Sequence, residues 1–125
     1  MKRFYVLALA VLFYGSIMAQ PVIKFEKNIH NFGQFDKKKI QTYEFIFTNT
    51  GDEPLVIHQA YGSCGCTVPQ FSTEPIQPGK KGTIKVTFNG KSQFNGKFKK
   101  SVSVRSNASN SLARVYIEGI ITEKE

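Results

Sequence analysis

Tryptophan is absent from this 125-residue sequence, and cysteine, histidine and methionine occur only twice each. Without Trp, the Cys…Trp…Cys core of antibody-type domains is excluded. Two cysteines separated by one residue cannot form the framework of long-range disulfides that staples many small secreted domains. The acidic residues Glu26, Asp36, Glu44, Asp52, Glu53, Glu74, Glu118, Glu123 and Glu125 are scattered. None forms an evident pair for glycoside hydrolysis. The motifs G-x-S-x-G and H-E-x-x-H are missing, as is a phosphate-binding glycine loop. No stretch carries the apolar period of an amphipathic helix. These absences point to a chain that is not an enzyme and is not helical.

The one long apolar run lies at the start. Lys2 and Arg3 precede Phe4–Tyr14, Gly15 and Ser16 break the run, and Ala19 supplies a small residue before Gln20-Pro21. That order predicts a secretory signal peptide over residues 1–19, cut between Ala19 and Gln20. The run falls short of the ~20 residues that span a bilayer, so no transmembrane anchor is expected after cleavage. No Cys follows the run to carry a lipid. The mature domain is then residues 20–125, placed in the periplasm or outside the cell.

Removing Lys2 and Arg3 takes the formal charge from +8 to +6. Lysines cluster at Lys37-Lys38-Lys39, Lys80-Lys81 and Lys97 to Lys100. A polyanion, such as lipopolysaccharide or an acidic polysaccharide, is one partner that this charge would fit. A solubilising role needs no partner at all. No basic helix or RNA-binding aromatic motif accompanies the lysines, so nucleic acid is not expected.

Apolar residues alternate with period two along the mature chain. Pro21–Phe25 reads as a short first strand, and Gly33 within Asn31–Phe35 as a bend. In Ile40–Asn49, Tyr43, Phe45 and Phe47 face one way and Thr42, Glu44 and Thr48 the other. Asn49–Asp52 is a turn signal, and Leu55–His58 the next strand. Ile84, Val86 and Phe88 then share a face. So do Phe98, Val102 and Val104, with Lys100 left exposed, and finally Ala113, Val115 and Ile117. Asn89–Gly96 reads as a polar loop. About seven short strands in one small domain predict an all-β, immunoglobulin-like antiparallel β-sandwich.

Cys64-Gly65-Cys66 is the one constellation with chemistry in it. In an extended strand the two residues would face the same side about 6.6 Å apart. A disulfide needs Cβ atoms roughly 3.5–4.5 Å apart, so bonding requires a turn at Gly65. A ring this small stabilises a fold little and should be readily reduced. Three roles stay open: a structural corner framed by Gly62, Gly65 and Thr67; a thiol–disulfide site; or a soft-metal site for copper or zinc with His58 as auxiliary ligand. No cofactor is expected beyond that metal reading. His30 falls in a loop and adds nothing.

The order Phe45-x-Phe47-x-Asn49-x-Gly51, Leu55-x-Ile57, Ser63-Cys64-Gly65-Cys66-Thr67 and Pro78-Gly79-x-x-Gly82-x-Ile84-x-Val86-x-Phe88 resembles the DUF1573 family. The later Val102-x-Val104-x-Ser106-Asn107 and the closing strand resemble it too. The family comprises small exported bacterial proteins, frequent in Bacteroidetes, with a domain of the ASPM/SPD-2/Hydin and major-sperm-protein type. Its usual Gly-Cys-Gly-Cys-Thr run stands here with Ser63 in place of the first glycine. The resemblance implies the sandwich fold, the periplasm or exterior of a Gram-negative bacterium, and, by kinship with protein-binding sandwich domains, a protein partner. It assigns no activity. The function expected is a non-enzymatic binding or assembly module, and the alternative is a thiol protein using Cys64 and Cys66.

Overall fold

A computed structural model describes residues 19–123, so the signal-peptide expectation for residues 1–19 falls almost wholly outside the described residues. Among those residues there are eight strands and no helix. None is long and apolar enough, as a helix, to cross a membrane.

One sheet holds β1 (Ile23–Phe25), β3 (Gln41–Asn49), β6 (Lys81–Phe88) and β5 (Thr67–Gln70), in the order β1-β3-β6-β5. The other holds β2 (Ile29–Asp36), β8 (Leu112–Thr122), β7 (Gly96–Ser106) and β4 (Ile57–Gly62), in the order β2-β8-β7-β4. The alternation explains why the sheets stack. Phe45, Phe47, Ile84, Val86 and Phe88 are buried from the first sheet, and Val102, Val104, Val115, Ile117 and Ile121 from the second. Burying each such side chain stabilises the fold by about 1.5–3 kcal/mol. Phe88 and Phe98 stack face to face, centroids 4.3 Å apart, and Phe35 meets both edge-on. These rings close one end of the core.

The structure corrects five details. The strands number eight because the opening segment changes sheets after Phe25. It runs on in one direction, so β1 pairs antiparallel with β3 while β2 pairs parallel with β8. The sandwich is therefore not wholly antiparallel. The bend expected at Gly33 is a bulge inside β2, where φ is +74° and the Gly33 N–H donates to Asn31 Oδ1 at 2.7 Å. The strand expected at Leu55–His58 begins instead at Ile57, and Leu55 only bridges to Ile76. Lys100 is half-buried, on the same side of β7 as Phe98 and Val102.

Asparagine amides lock the end of the sandwich where β3 finishes. Asn110 Oδ1 accepts from the Ile23 N–H at 3.2 Å, and its Nδ2 donates to the Ile23 carbonyl at 2.7 Å. Asn107 makes the same kind of pair with the Val56 N–H and the Pro54 carbonyl. Asn49, 0% exposed, makes four such bonds across three segments.

Candidate functional site

Three connections meet at the opposite end. They are the β2–β3 turn (37–40), the β4–β5 corner (63–66) and the β6–β7 loop (89–95). The pairings Gln41↔Phe88 and Thr67↔Phe88 set them side by side. The Asn89 N–H donates to the Cys66 carbonyl at 2.9 Å and ties loop to corner.

The corner carries the chain from an edge strand of one sheet, β4, to an edge strand of the other, β5. Cys64 and Cys66 are disulfide-bonded, with Cα atoms 5.2 Å apart, inside the range that a bond permits. The expected turn is present: the Thr67 N–H donates to the Cys64 carbonyl at 3.2 Å. Its steric demand sits elsewhere than expected. Nothing lies within 4 Å of where a Cβ on Gly65 would stand, whereas one on Gly62 would stand 2.1 Å from the Thr67 carbonyl oxygen. Gly62 is the residue that lets the two backbones touch. Cys64 is half-buried and Cys66 is 8% exposed. The Thr67 hydroxyl lies 3.6 Å from Cys64 Sγ and 3.5 Å from Cys66 Sγ.

His58 does not join them. It is exposed, near the start of β4, against Arg105 and Leu112. Four strand residues, about 13 Å, separate it from Gly62. Among the described residues no three His, Cys, Asp or Glu side chains are placed to hold a metal ion. The two sulfurs alone fall short of the four ligands of a structural zinc site.

The loops beside the corner hold what the sequence reading passed over. Phe94 is 94% exposed, in a stretch read only as polar, and Ile40 on the neighbouring turn is 55% exposed. Lys37, Lys38 and Lys91 line a shallow depression between these loops, with Glu123. Lys39 is exposed on the same turn, so these loops are rich in lysine. The far end mixes Asp52, Glu53 and Glu74 with Lys80 and Lys81. Phe94 is the sole large apolar residue between Asn89 and Gly96, and that contrast was the available signal.

His30 is another residue whose place the sequence did not reveal. It lies in β2, not in a loop. Its ring stacks on Tyr43 with centroids 3.7 Å apart and meets Phe32 edge-on, and its Nδ1 is buried without a partner among the described residues. Burial, and secondarily the Lys27 ammonium, hold its pKa below the ordinary 6.5. The fold therefore favours the neutral ring. Stability is intact above the free-imidazole value and declines as pH falls through it toward the lowered folded value. Between about pH 7.5 and pH 5 the melting temperature should fall less in His30→Phe than in the unaltered chain. Equal losses in thermal scans would show that the ring does not report pH.

Residues 23–121 match the model of a family described as protein of unknown function, DUF1573. No curated protein matches the chain. Among solved structures, a protein of unknown function from Porphyromonas gingivalis W83 superposes with a TM-score of 0.71 at 15% identity, covering 80% of this chain and 46% of that one. This chain thus spans less than half of that protein. The ASH/PapD-like domain 7 of human CEP192 gives 0.67 at 9% identity over 85% of this chain and 89% of that one. The periplasmic chaperone SfaE gives 0.56 at 10% identity over 82% and 58%. At these identities the likeness is one of fold, a PapD-like or immunoglobulin-like sandwich.

Proposed function

The chain belongs to the DUF1573 family, whose function is unknown, and from that premise we propose that it is an exported, non-enzymatic module that binds another protein through its lysine-rich loop end. One observation carries the reading: Phe94 is 94% exposed on a loop whose neighbour presents Ile40 at 55%. A solvated aromatic on one loop and an exposed apolar side chain on the next are the kind of anchors that protein interfaces bury. The lysines of these loops add attraction for an acidic partner surface and set orientation. Export rests on the leader pattern of residues 1–19 and places the partner in the periplasm or outside the cell. The free edges of β4 and β2 are a second way to meet an extended segment. The bulges in both strands make them poor templates.

The test replaces Phe94 with photoreactive p-benzoylphenylalanine in the cells that make the protein. Irradiation should yield one discrete protein adduct. The same residue at Lys85, exposed on the outer face of β6, should yield none. Equal labelling at both positions, or none at position 94, would contradict the reading. A polyanion partner predicts something else: salt-sensitive retention on immobilised heparin that Phe94→Ser leaves unchanged.

The thiol role is a separate reading, favoured by the half-buried Cys64 beside the Thr67 hydroxyl. Copper or zinc binding would need the bond reduced and ligands from outside the described residues.

A further inference from the structure

We propose that Cys64–Cys66 is a thiol-exchange site for a protein dithiol, in which Cys64 is the sulfur attacked and Cys66 the sulfur released. The inference rests on the corner's geometry and not on the partner-binding reading.

The bond contributes little to holding the corner, because backbone contacts already do so. The Ser63 N–H donates to the Ser101 carbonyl at 2.9 Å, and the Ser101 N–H to Ser63 Oγ at 3.2 Å. Thr67 and Asn89 close the other side through the Cys64 and Cys66 carbonyls. A disulfide enclosing a single residue removes little freedom from the unfolded chain. It can open without the sandwich opening.

The two sulfurs differ in access. Cys64 is half-buried, and Cys66 is 8% exposed. An incoming thiolate meets Cys64 first. Thr67 then stabilises the product. It is 2% exposed, and the partners of its hydroxyl are the two sulfurs. A disulfide sulfur accepts a hydrogen bond weakly, whereas a thiolate accepts one strongly. The same buried hydroxyl, within reach of either sulfur, therefore stabilises the thiolate that bond breaking leaves, and the lesser exposure of Cys66 is what makes it the sulfur released.

A partner thiolate attacks Cys64 Sγ, a mixed disulfide forms, and the Cys64–Cys66 bond breaks with its electron pair leaving on Cys66 Sγ. The partner's second thiolate attacks the partner sulfur of the mixed disulfide and releases Cys64. The partner leaves as a disulfide, and this chain keeps two electrons as a dithiol, with protons taken from solvent as pH dictates.

The chain lacking residues 1–19 tests this, with dithiothreitol as the dithiol. The folded protein should be reduced without loss of its β-sheet circular dichroism. Cys64 in Cys66→Ser should react with Ellman's reagent about tenfold faster than Cys66 in Cys64→Ser. Thr67→Val should slow reduction and, placed in Cys64→Ser, raise the pH at which the Cys66 thiol becomes reactive, and Thr67→Ser should restore both. Three results would overturn the assignment: reduction only on unfolding, equal or reversed thiol reactivity, or a Thr67→Val rate equal to that of the unaltered chain. Photo-adduct formation at position 94 in the double Cys→Ser variant keeps the two readings apart, because it survives if only the exchange site is wrong.

Discussion

Alanine at Gly62 should unfold this protein far below its normal melting temperature, while alanine at Gly65 should leave it nearly unchanged. The added Cβ at Gly62 would stand 2.1 Å from the Thr67 carbonyl oxygen and 2.9 Å from the Thr67 Cβ. Neither side can give way cheaply. The Ser63–Ser101 bonds hold β4 against β7, and the turn bond from the Thr67 N–H to the Cys64 carbonyl holds β5. Relief requires pulling two edge strands apart at the corner that joins the sheets. The expected cost is about 3 kcal/mol. At roughly 4–8 °C per kcal/mol for a domain of this size, the midpoint falls by about 12–24 °C. At Gly65 the space is open and φ lies outside the left-handed region, so Gly65→Ala should shift it by only a degree or two, roughly. Thermal scans of the two variants decide the matter. Equal shifts would mean that the corner is not held by close backbone approach.

Leucine at Asn49 should be as damaging, for a different reason. The volume is kept, but four hydrogen bonds are lost. Asn49 Oδ1 accepts from the Val22 N–H at 3.2 Å and the Gly51 N–H at 3.0 Å. Its Nδ2 donates to the Glu53 carbonyl at 2.7 Å and the Ile76 carbonyl at 2.9 Å. One amide thus joins the first strand, the β3–β4 turn and the β5–β6 loop. Each orphaned buried group costs about 1–3 kcal/mol. Some of the four will find water, so a total of roughly 3–5 kcal/mol is expected for Asn49→Leu in urea unfolding. Asn49→Asp separates the two halves of the interaction. It keeps the acceptor toward Val22 and Gly51 but turns a charged oxygen toward two carbonyls. The buried carboxyl's pKa would be raised, so this variant should regain stability as the pH is lowered and the group takes up a proton. A loss below about 1 kcal/mol for Asn49→Leu would remove Asn49 from its central place.

The parts of this fold that were legible in the sequence are those where one face is buried and the other is wet. Phe45 and Phe47, Ile84, Val86 and Phe88, Val102 and Val104, and Val115 and Ile117 all lie inside, as their alternation implied. The parts that were missed lack that contrast. β2 is exposed at only half of its residues and broken by a bulge, and its parallel partner lies nearly ninety residues away in sequence. β5 is four residues long and contains Pro69, which cannot donate to a ladder. Asn49 read as a turn residue because a sequence shows its neighbours, not carbonyls brought in from Ile76. The candidate site was half legible. Spacing alone required a turn for Cys64 to reach Cys66, and the turn is there. It could not show that Gly62 carries the steric load, that His58 stands apart, or that Phe94 projects from its loop.

Amide hydrogen–deuterium exchange, comparing the free chain with the chain held in its photo-crosslinked complex, locates the docking surface. New protection is expected, confined to residues 37–40 and 89–95, the connections that present Ile40 and Phe94. Protection along β4 or β2 instead, or no difference anywhere, would show that this end of the sandwich is not where a partner docks.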